Sequence, residues 1–215
     1  MEKYLFIDTE TANGLDDPIV YDFGYLVIND QGDEYERGSF VVVDTFFDRE
    51  LMSSAYYAEK MPLYIADINE GRRKLIYLKD LKRKVRAIMR KHEITKVIAH
   101  NAKFDCNSTK TTLRYLTSSA DRYFFPYGTQ FLDTLKMARE VFGKDKDYRD
   151  FCTANGYVTK HKSPRPRLTA EILYRYLTGD KDFNEAHTAL EDCEIERLIF
   201  TACRERNPEV DGLLW

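Results

Sequence analysis

YLFIDTE, residues 4–10, is a short apolar run that ends in acidic side chains. Its length and composition are typical of a buried β-strand. Asp8 and Glu10 lie two residues apart at its end, so their side chains leave the same face of the pleat and can bind one cation together. Carboxylate oxygens suit Mg²⁺ or Mn²⁺. Because acidic residues also end many strands without any function, the pair needs support from elsewhere in the chain.

The pattern of alternating apolar residues continues after this strand. IVYDFGYLVIND (19–30) and EYERGSFVVVD (34–44) are separated by a polar turn, which predicts two more strands and an antiparallel meander. Residues 45–77 follow no regular pattern apart from an expected helix at about 49–60. We therefore interpret 45–77 as an insertion.

Helical and strand patterns alternate in the rest of the chain. Helices are expected at 78–92, at 102–116, from Asp133 or Thr134 to Gly143, and at 188–203. Short strands are expected at 96–100 and at about 129–132. With further helices between Gly143 and residue 188, this order predicts an α/β architecture in which helices cover a mixed sheet.

Length and composition indicate one globular domain. The chain has 215 residues, of which 43% are hydrophobic and 32% are charged, and its length predicts a single domain with the insertion. No apolar run approaches the ~20 residues that span a bilayer, and the first residues lack the features of a secretory signal. The four cysteines are widely spaced, which indicates reduced thiols. We expect a cytoplasmic protein without a membrane partner.

Charge is unevenly distributed along the chain, although the net charge is only −3. Residues 1–71 contain 4 Lys or Arg against 16 Asp or Glu, whereas residues 72–122 contain 15 against 4. A basic segment inside an acidic protein can guide a polyanion to an acidic site, and it can equally be a solvated helix face.

Two further motifs carry acidic residues near predicted helix starts. HNAKFDCNST (100–109) follows a short strand and puts Asp105 in the first turn of a helix, where an acid also stabilises the helix dipole. HTALEDCEIE (187–196) puts His187 near a helix start and Asp192 five residues later. The order of the three acidic motifs is more informative than any one of them.

Together, FIDTET, HNAKFD and HTALED resemble the three motifs of the DEDDh exonucleases. This branch of the ribonuclease H-like superfamily contains bacterial polymerase proofreading subunits and ribonuclease T. The resemblance implies a five-stranded mixed sheet flanked by helices, and one exonuclease domain over residues 1–215. FLDTLKMAR (131–139) also resembles a family segment, in which Asp133 is expected to cap a helix rather than to bind metal.

The chain departs from the family pattern in two places. TANG (11–14) replaces a shorter turn, and the bare fold does not require the insertion at 45–77. The aromatic and charged composition of the insertion resembles that of small exonucleases of bacterial viruses. Both departures bear on the choice of substrate.

The resemblance implies a two-metal 3′→5′ exonuclease. Asp8, Glu10 and Asp192 would bind one Mg²⁺ or Mn²⁺ ion, while Asp8 would bridge to a second ion supported by Asp105. His187 would accept the proton of the attacking water, since an imidazole with a pKa near ~6.5 is largely neutral at neutral pH. His100 also matches the family pattern, and we interpret it as structural.

Other residues are candidate substrate contacts. Thr11, Ala12 and Asn101 match positions where the family binds the terminal nucleotide. Lys160, Lys162, Arg165 and Arg167 belong to a basic loop that can contact phosphates or simply be solvated. Four aromatic residues of the insertion can stack on bases or pack its core, namely Phe46, Phe47, Tyr56 and Tyr57.

Three functions remain open from the sequence. The expected substrate is single-stranded DNA, because a site that binds a terminal nucleotide must first unpair it from a duplex. An exoribonuclease or an oligonucleotide-trimming enzyme would use the same residues. An inactive module that binds nucleic acid or protein is the alternative from another class, although all five motif side chains are present.

Overall fold

The computed structural model describes residues 1–118 and 120–214, and six strands in these ranges form one mixed sheet. The strands are β1 (Lys3–Ala12), β2 (Ile19–Asn29), β3 (Glu34–Val42), β4 (Lys74–Ile76), β5 (Lys96–Ala99) and β6 (Gln130–Asp133). They lie in the order β4-β3-β2-β1-β5-β6. The predicted meander is confirmed, since β1, β2 and β3 pair antiparallel, while β4, β5 and β6 each pair parallel with a neighbour.

Helices flank this sheet, as the alternating pattern predicts. They are α1 (Val43–Phe46), α2 (Arg49–Ser53), α3 (Met61–Asn69), α4 (Leu78–Lys91), α5 (Ala102–Leu116), α6 (Thr134–Val141), α7 (Lys146–Ala154), α8 (Ala170–Thr178) and α9 (Ala189–Arg206). The bounds of α5 are those predicted, and α4 and α9 differ slightly at their ends. The helices α4 and α5 are predictable because apolar residues recur along them at helical spacing.

The sheet separates two layers of packed side chains. On one face, α4 and α5 cover Leu5 and Ile7 of β1. On the other face, α6 to α9 cover Tyr4 and Phe6. The residues of β1 therefore alternate between two cores, and its even-numbered side chains point toward α9.

The strand count of five is wrong, because the region interpreted as an insertion supplies a sixth strand. β4 is three residues long and extends the sheet by pairing parallel with the end of β3. A strand this short has too few residues to show the alternation of apolar and polar side chains. The preceding residues Arg72 and Arg73 are typical of a polar loop.

Two other predictions in this part of the chain differ from the structure. β3 ends at Val42 rather than at residue 44, because the chain turns into α1, where the buried Thr45 hydroxyl donates to the carbonyl oxygen of Val20. The expected helix at 49–60 is interrupted: α2 ends at Ser53, and Ala58–Lys60 forms a 3₁₀ turn. These short elements are fixed by packing on the sheet rather than by their own periodicity, with Phe46 and Tyr64 buried against Tyr21.

The four cysteines are buried thiols without disulfide partners, as their spacing predicts. Within the described residues, the helices are all too short or too polar to cross a membrane.

Candidate active site

The acidic end of β1 faces the start of α9. Asp8 lies opposite Gly24 of β2, and Glu10 lies opposite Asp22. A Cβ atom at Gly24 would overlap the backbone of Ala189 and Leu190, so a glycine is required for α9 to approach the sheet this closely. This close approach brings the first turn of α9 over the carboxylates of β1.

The third motif completes a cluster with Glu10. Asp192 is in the first turn of α9, and His187 directly precedes Thr188, the N-cap residue of this helix. One ligand atom each from Glu10, His187 and Asp192 lies within 4.8 Å of the other two. The structure therefore brings together side chains that are more than 170 residues apart in sequence.

Asp105 approaches the same strand from the other layer. It lies in the first turn of α5, as predicted, and is buried. The Thr9 hydroxyl donates a hydrogen bond of 2.8 Å to its Oδ1 atom. Its charge still acts on Asp8, whose pKa it helps to raise.

Burial and mutual repulsion make these acids weak. Burial is the main cause that raises the pKa of Glu10 to about 8, of Asp105 to about 7 and of Asp192 to about 9. The pKa of Asp8 is raised well above its usual value by burial and by the neighbouring carboxylates. A divalent cation would relieve this repulsion and return the acids to their charged forms.

A fifth acid, the buried Glu196, lies beside this site and was not predicted. It lies four residues after Asp192, on the same side of α9, and its Oε1 atom accepts a hydrogen bond of 2.6 Å from the backbone N–H of His100. Among the described residues, its Oε2 atom and Oδ1 of Asp192 are buried without hydrogen-bond partners. The spacing of four residues was visible in the third motif and was the signal available in the sequence.

These acids line a cavity with a basic wall. The cavity has a volume of about 850 Å³ and is lined by Asp8, Asp192, Glu185 and Glu196. Exposed cations, none of which pairs with an acid in the described ranges, also line it: Arg139, Lys144, Arg149, Arg165 and Arg167. They come from residues 139–167, whereas the basic segment 72–122 contributes no described cation to this lining.

The predicted substrate contacts are only partly brought to this cavity. Asn101, Arg165 and Arg167 line it. Lys160 and Lys162 do not, because they lie in the turn of a small hairpin closed by pairing of Val158 with Pro166.

The two contacts predicted at the end of β1 also lie outside the lining. Thr11 is half-buried, and the Ala12 side chain is fully buried in the cluster around Phe46. Ala12 therefore has no exposed side chain to offer a substrate.

His100 and Asp133 have structural partners. The two ring nitrogens of His100 lie 2.9 Å from Thr134 Oγ1 and 2.9 Å from the Leu168 carbonyl oxygen. Asp133 caps α6, as predicted, by accepting a hydrogen bond from the N–H of Leu135. Both side chains connect loops around the cavity.

Region 45–77 supplies two residues whose contacts with the third motif the sequence did not predict. The ring of Tyr57 stacks on that of His187, and Lys60 donates to the carbonyl oxygen of Ala186. Burial and the Lys60 ammonium lower the pKa of His187. No motif marks these two residues, because only the tertiary structure brings the region to the third motif.

A buried ionic network anchors the same region. Arg73 contacts Asp67 at 2.9 Å, Asp22 at 3.3 Å and Glu191 at 3.0 Å. Asp22 also accepts hydrogen bonds from the N–H of Ala189 and from the hydroxyl of Tyr64. The network links region 45–77, the centre of the sheet and the start of α9.

Comparison with known proteins adds information on the fold. No protein-family model and no curated protein matches this sequence. Among solved structures, E. coli exonuclease I in complex with a dA16 oligonucleotide matches with a TM-score of 0.59 and 14% identity, over 98% of this chain and 42% of that chain. S. pombe Pop2p, in a form bound to Mg²⁺ and Mn²⁺, matches with a TM-score of 0.53 and 14% identity, over 96% of this chain and 84% of that chain.

Exonuclease X in complex with 5′-overhanging duplex DNA is 19% identical over 95% of this chain and 93% of that chain, with a TM-score of 0.48. The chain spans less than half the length of exonuclease I. At these identities the similarity shows the fold alone: the chain shares the expected ribonuclease H-like fold with exonuclease I and Pop2p, and its sheet has six strands in the described residues.

Proposed function

We propose that the protein is a metal-dependent 3′→5′ exonuclease of the DEDDh type that hydrolyses phosphodiesters from nucleic-acid ends. The observation that carries this proposal is the convergence of Glu10, His187 and Asp192 within 4.8 Å of one another. Asp8 and Asp192 line the adjacent cavity, and the charge of Asp105 acts on Asp8. These observations support a single site for the five side chains named by the motifs.

The chemistry of the site fits divalent metal ions. Two buried carboxylate oxygens, on Asp192 and Glu196, have no hydrogen-bond partner among the described residues. Burying a carboxylate oxygen without a hydrogen bond or an opposite charge is unfavourable, and a bound cation would provide the opposite charge. Pop2p, which shares the fold, was solved with Mg²⁺ and Mn²⁺. We infer that the site binds Mg²⁺ or Mn²⁺, with two ions per site.

The four motif carboxylates would be shared between the two ions. Asp8, Glu10 and Asp192 would bind one ion, while Asp8 and Asp105 would bind the other, directly or through water. When bound, the ions supply the positive charge that makes a water acidic at neutral pH and stabilises the oxygen leaving from the sugar.

His187 has the properties of the proton acceptor. Its lowered pKa leaves the imidazole neutral at neutral pH, so a ring nitrogen has a lone pair available for the proton of the attacking water. The ring lies beside Glu10 and Asp192, where that water is expected.

The cationic wall favours a single-stranded polyanion. Five exposed cations line the same cavity as the acids, and their charge is available for backbone phosphates. Exonuclease I, which shares the fold, was solved with a dA16 oligonucleotide. We propose that the 3′ end of a DNA strand enters the cavity, with the preceding phosphates on Arg139, Arg165 and Arg167.

End-labelled substrates test this proposal. With Mg²⁺, a single strand labelled at its 5′ end should yield a ladder that shortens one nucleotide at a time, whereas a 3′ label should be released at once as a mononucleotide. Blunt duplex should be degraded more slowly, because its end must first be unpaired.

The other outcomes of the same assay separate the alternatives. Equal initial rates on blunt duplex and single strand would contradict the single-strand preference. Faster cleavage of RNA or of very short oligonucleotides would identify an exoribonuclease or an oligonucleotide-trimming enzyme. Binding without cleavage of any strand would identify an inactive module.

A further inference from the structure

Tyr57 covers one face of the catalytic histidine. The two rings are 4.4 Å apart between centroids and only 15° from parallel, and both side chains are half-buried. Contact of this kind fixes the plane of an imidazole as well as its location. Tyr57 belongs to region 45–77, and His187 belongs to the segment before α9, so the contact is tertiary.

Lys60 holds the backbone at the same place. Its ammonium donates to the carbonyl oxygen of Ala186 and lies 3.4 Å from that of His187. It also lies 4.2 Å from the centroid of the Tyr57 ring, within cation–π distance. One cation therefore contacts both the stacked ring and the chain that carries the histidine.

The backbone at His187 needs such support. Its φ angle is +49°, in the left-handed region that non-glycine residues rarely adopt, and residues 182–188 form no helix or strand. A second link lies two residues later, where the N–H of Ala189 donates to Asp22, which also accepts from Tyr64. Region 45–77 thus supports the chain on both sides of the histidine.

We propose that Tyr57 and Lys60 are positioning residues that keep the His187 imidazole beside Glu10 and Asp192. The inference rests on the proposed function of His187 as proton acceptor. It gives region 45–77 a role in the reaction, since the general base is oriented by side chains from outside the three motifs.

Single-turnover cleavage of a 5′-labelled DNA strand at several protein concentrations tests this role. Tyr57→Leu and Lys60→Met should lower the maximal rate by about 10–100-fold, the usual effect of a misplaced catalytic group. The protein concentration at half-maximal rate should change by less than about threefold, because strand binding is retained. Tyr57→Phe and Lys60→Arg should restore most of the rate, since they keep the ring and the charge.

Tyr127→Leu is the matched control, because Tyr127 is 96% exposed and does not line the cavity. It should cleave at the wild-type rate. If Lys60→Met weakens strand binding and leaves the maximal rate unchanged, Lys60 is a phosphate contact and the positioning role is wrong.

Combining the variants with His187→Ala separates positioning from a general structural effect. In the His187→Ala background, Tyr57→Leu should cause almost no further loss of rate, because its effect acts through the imidazole. A further loss as large as in the wild-type background would overturn the proposal.

A measurement that does not use cleavage tests the contact itself. Stacking on Tyr57 should shift the NMR signal of the His187 ring proton Hε1 upfield, and the signal is assigned by its loss in His187→Ala. The shift should persist in Tyr57→Phe and disappear in Tyr57→Leu. If the shift is present and no strand is cleaved, the proposed function fails and the contact stands; if it is absent from the wild type, the positioning proposal fails.

Discussion

His187 differs from His100, the other motif histidine, in its surroundings. Its ring lies beside carboxylates that include Glu10, Asp192 and Glu185 and stacks on an aromatic ring, whereas the ring nitrogens of His100 both have hydrogen-bond partners. Burial lowers the pKa of both imidazoles. Only His187 combines neutrality with a position next to the acidic cluster, so we assign proton transfer to it.

His187→Ala should therefore slow cleavage while leaving the fold and the metal ligands in place. The expected loss is about 10²–10⁴-fold, or ~3–5 kcal/mol of barrier. The cleavage rate of the wild type should rise with pH as the imidazole becomes neutral. This rise should be missing in His187→Ala. Single-turnover cleavage across pH, with melting temperature measured for each variant, provides the check.

His100→Ala is the comparison at the other motif histidine. It removes two hydrogen bonds around the cavity, so it should lower stability more than it lowers the rate of the folded protein. Wild-type cleavage by His187→Ala together with an inactive His100→Ala would reverse the two assignments.

Among the elements, region 45–77 and α9 depend on each other through Arg73. The Arg73 side chain is only 3% exposed, and it pairs with Asp22, Asp67 and Glu191 from three parts of the chain. Removing one partner of a buried ionic network leaves the other charges without compensation. The start of α9, which carries Asp192, is thus held partly by a residue far from the motifs.

Arg73→Met should lower the free energy of unfolding by about 3–5 kcal/mol. Arg83→Met is the matched control, because among the described residues the exposed Arg83 pairs with Asp80 alone, at the protein surface, and its loss should cost less than about 1 kcal/mol. Urea unfolding of both variants measures the difference. Equal stabilities would mean that the network does not hold the region.

The helices and strands also show which parts of the fold can be predicted from the sequence. α4 and α5 are predictable because their buried residues repeat at helical spacing. α2, the 3₁₀ turn and β4 are too short to show any period, and contacts with the sheet decide their form. Gly24 is a similar case, since only the packing of α9 reveals why no Cβ fits there.

On the scale of the whole molecule, the site gathers negative charge from three segments. The order of the motifs predicts Asp8, Glu10, Asp105, His187 and Asp192 as one site, and of these the structure brings Glu10, His187 and Asp192 within 4.8 Å of one another. Other residues that complete the site lie outside the motifs, namely Tyr57, Lys60, Glu185 and the cations of 139–167, while Glu196 lies at the end of the third motif. Sequence reasoning missed most of them because their proximity is a property of the folded chain.

This accumulation of acids predicts how stability depends on pH without metal. Glu10, Asp105 and Asp192 have pKa values of about 8, about 7 and about 9 in the folded protein, above the ordinary values of 4.5, 3.8 and 3.8. Between the ordinary and the raised pKa values, these three acids bind more protons in the folded state than in the unfolded state, so their contribution to stability is fully present below the ordinary pKa values and is lost as pH rises toward about 9.

The melting temperature in EDTA should therefore decrease between about pH 5 and about pH 9, and Mg²⁺ should raise it more at the alkaline end. Asp192→Asn should weaken both effects, because it removes one titrating acid. A melting temperature that is insensitive to Mg²⁺ at every pH would count against a cluster built for cations.

The central claim is that these acids hold metal ions that are required for cleavage, and the most direct test is the degradation of one 5′-labelled single strand. Wild-type protein should produce a ladder with Mg²⁺ or Mn²⁺ and none in EDTA, while Asp8→Asn and Asp192→Asn should be nearly inactive with metal. Restored cleavage when Mg²⁺ is added back in excess of EDTA confirms that the loss is reversible. Undiminished cleavage in EDTA, or wild-type rates from both variants, would contradict the account.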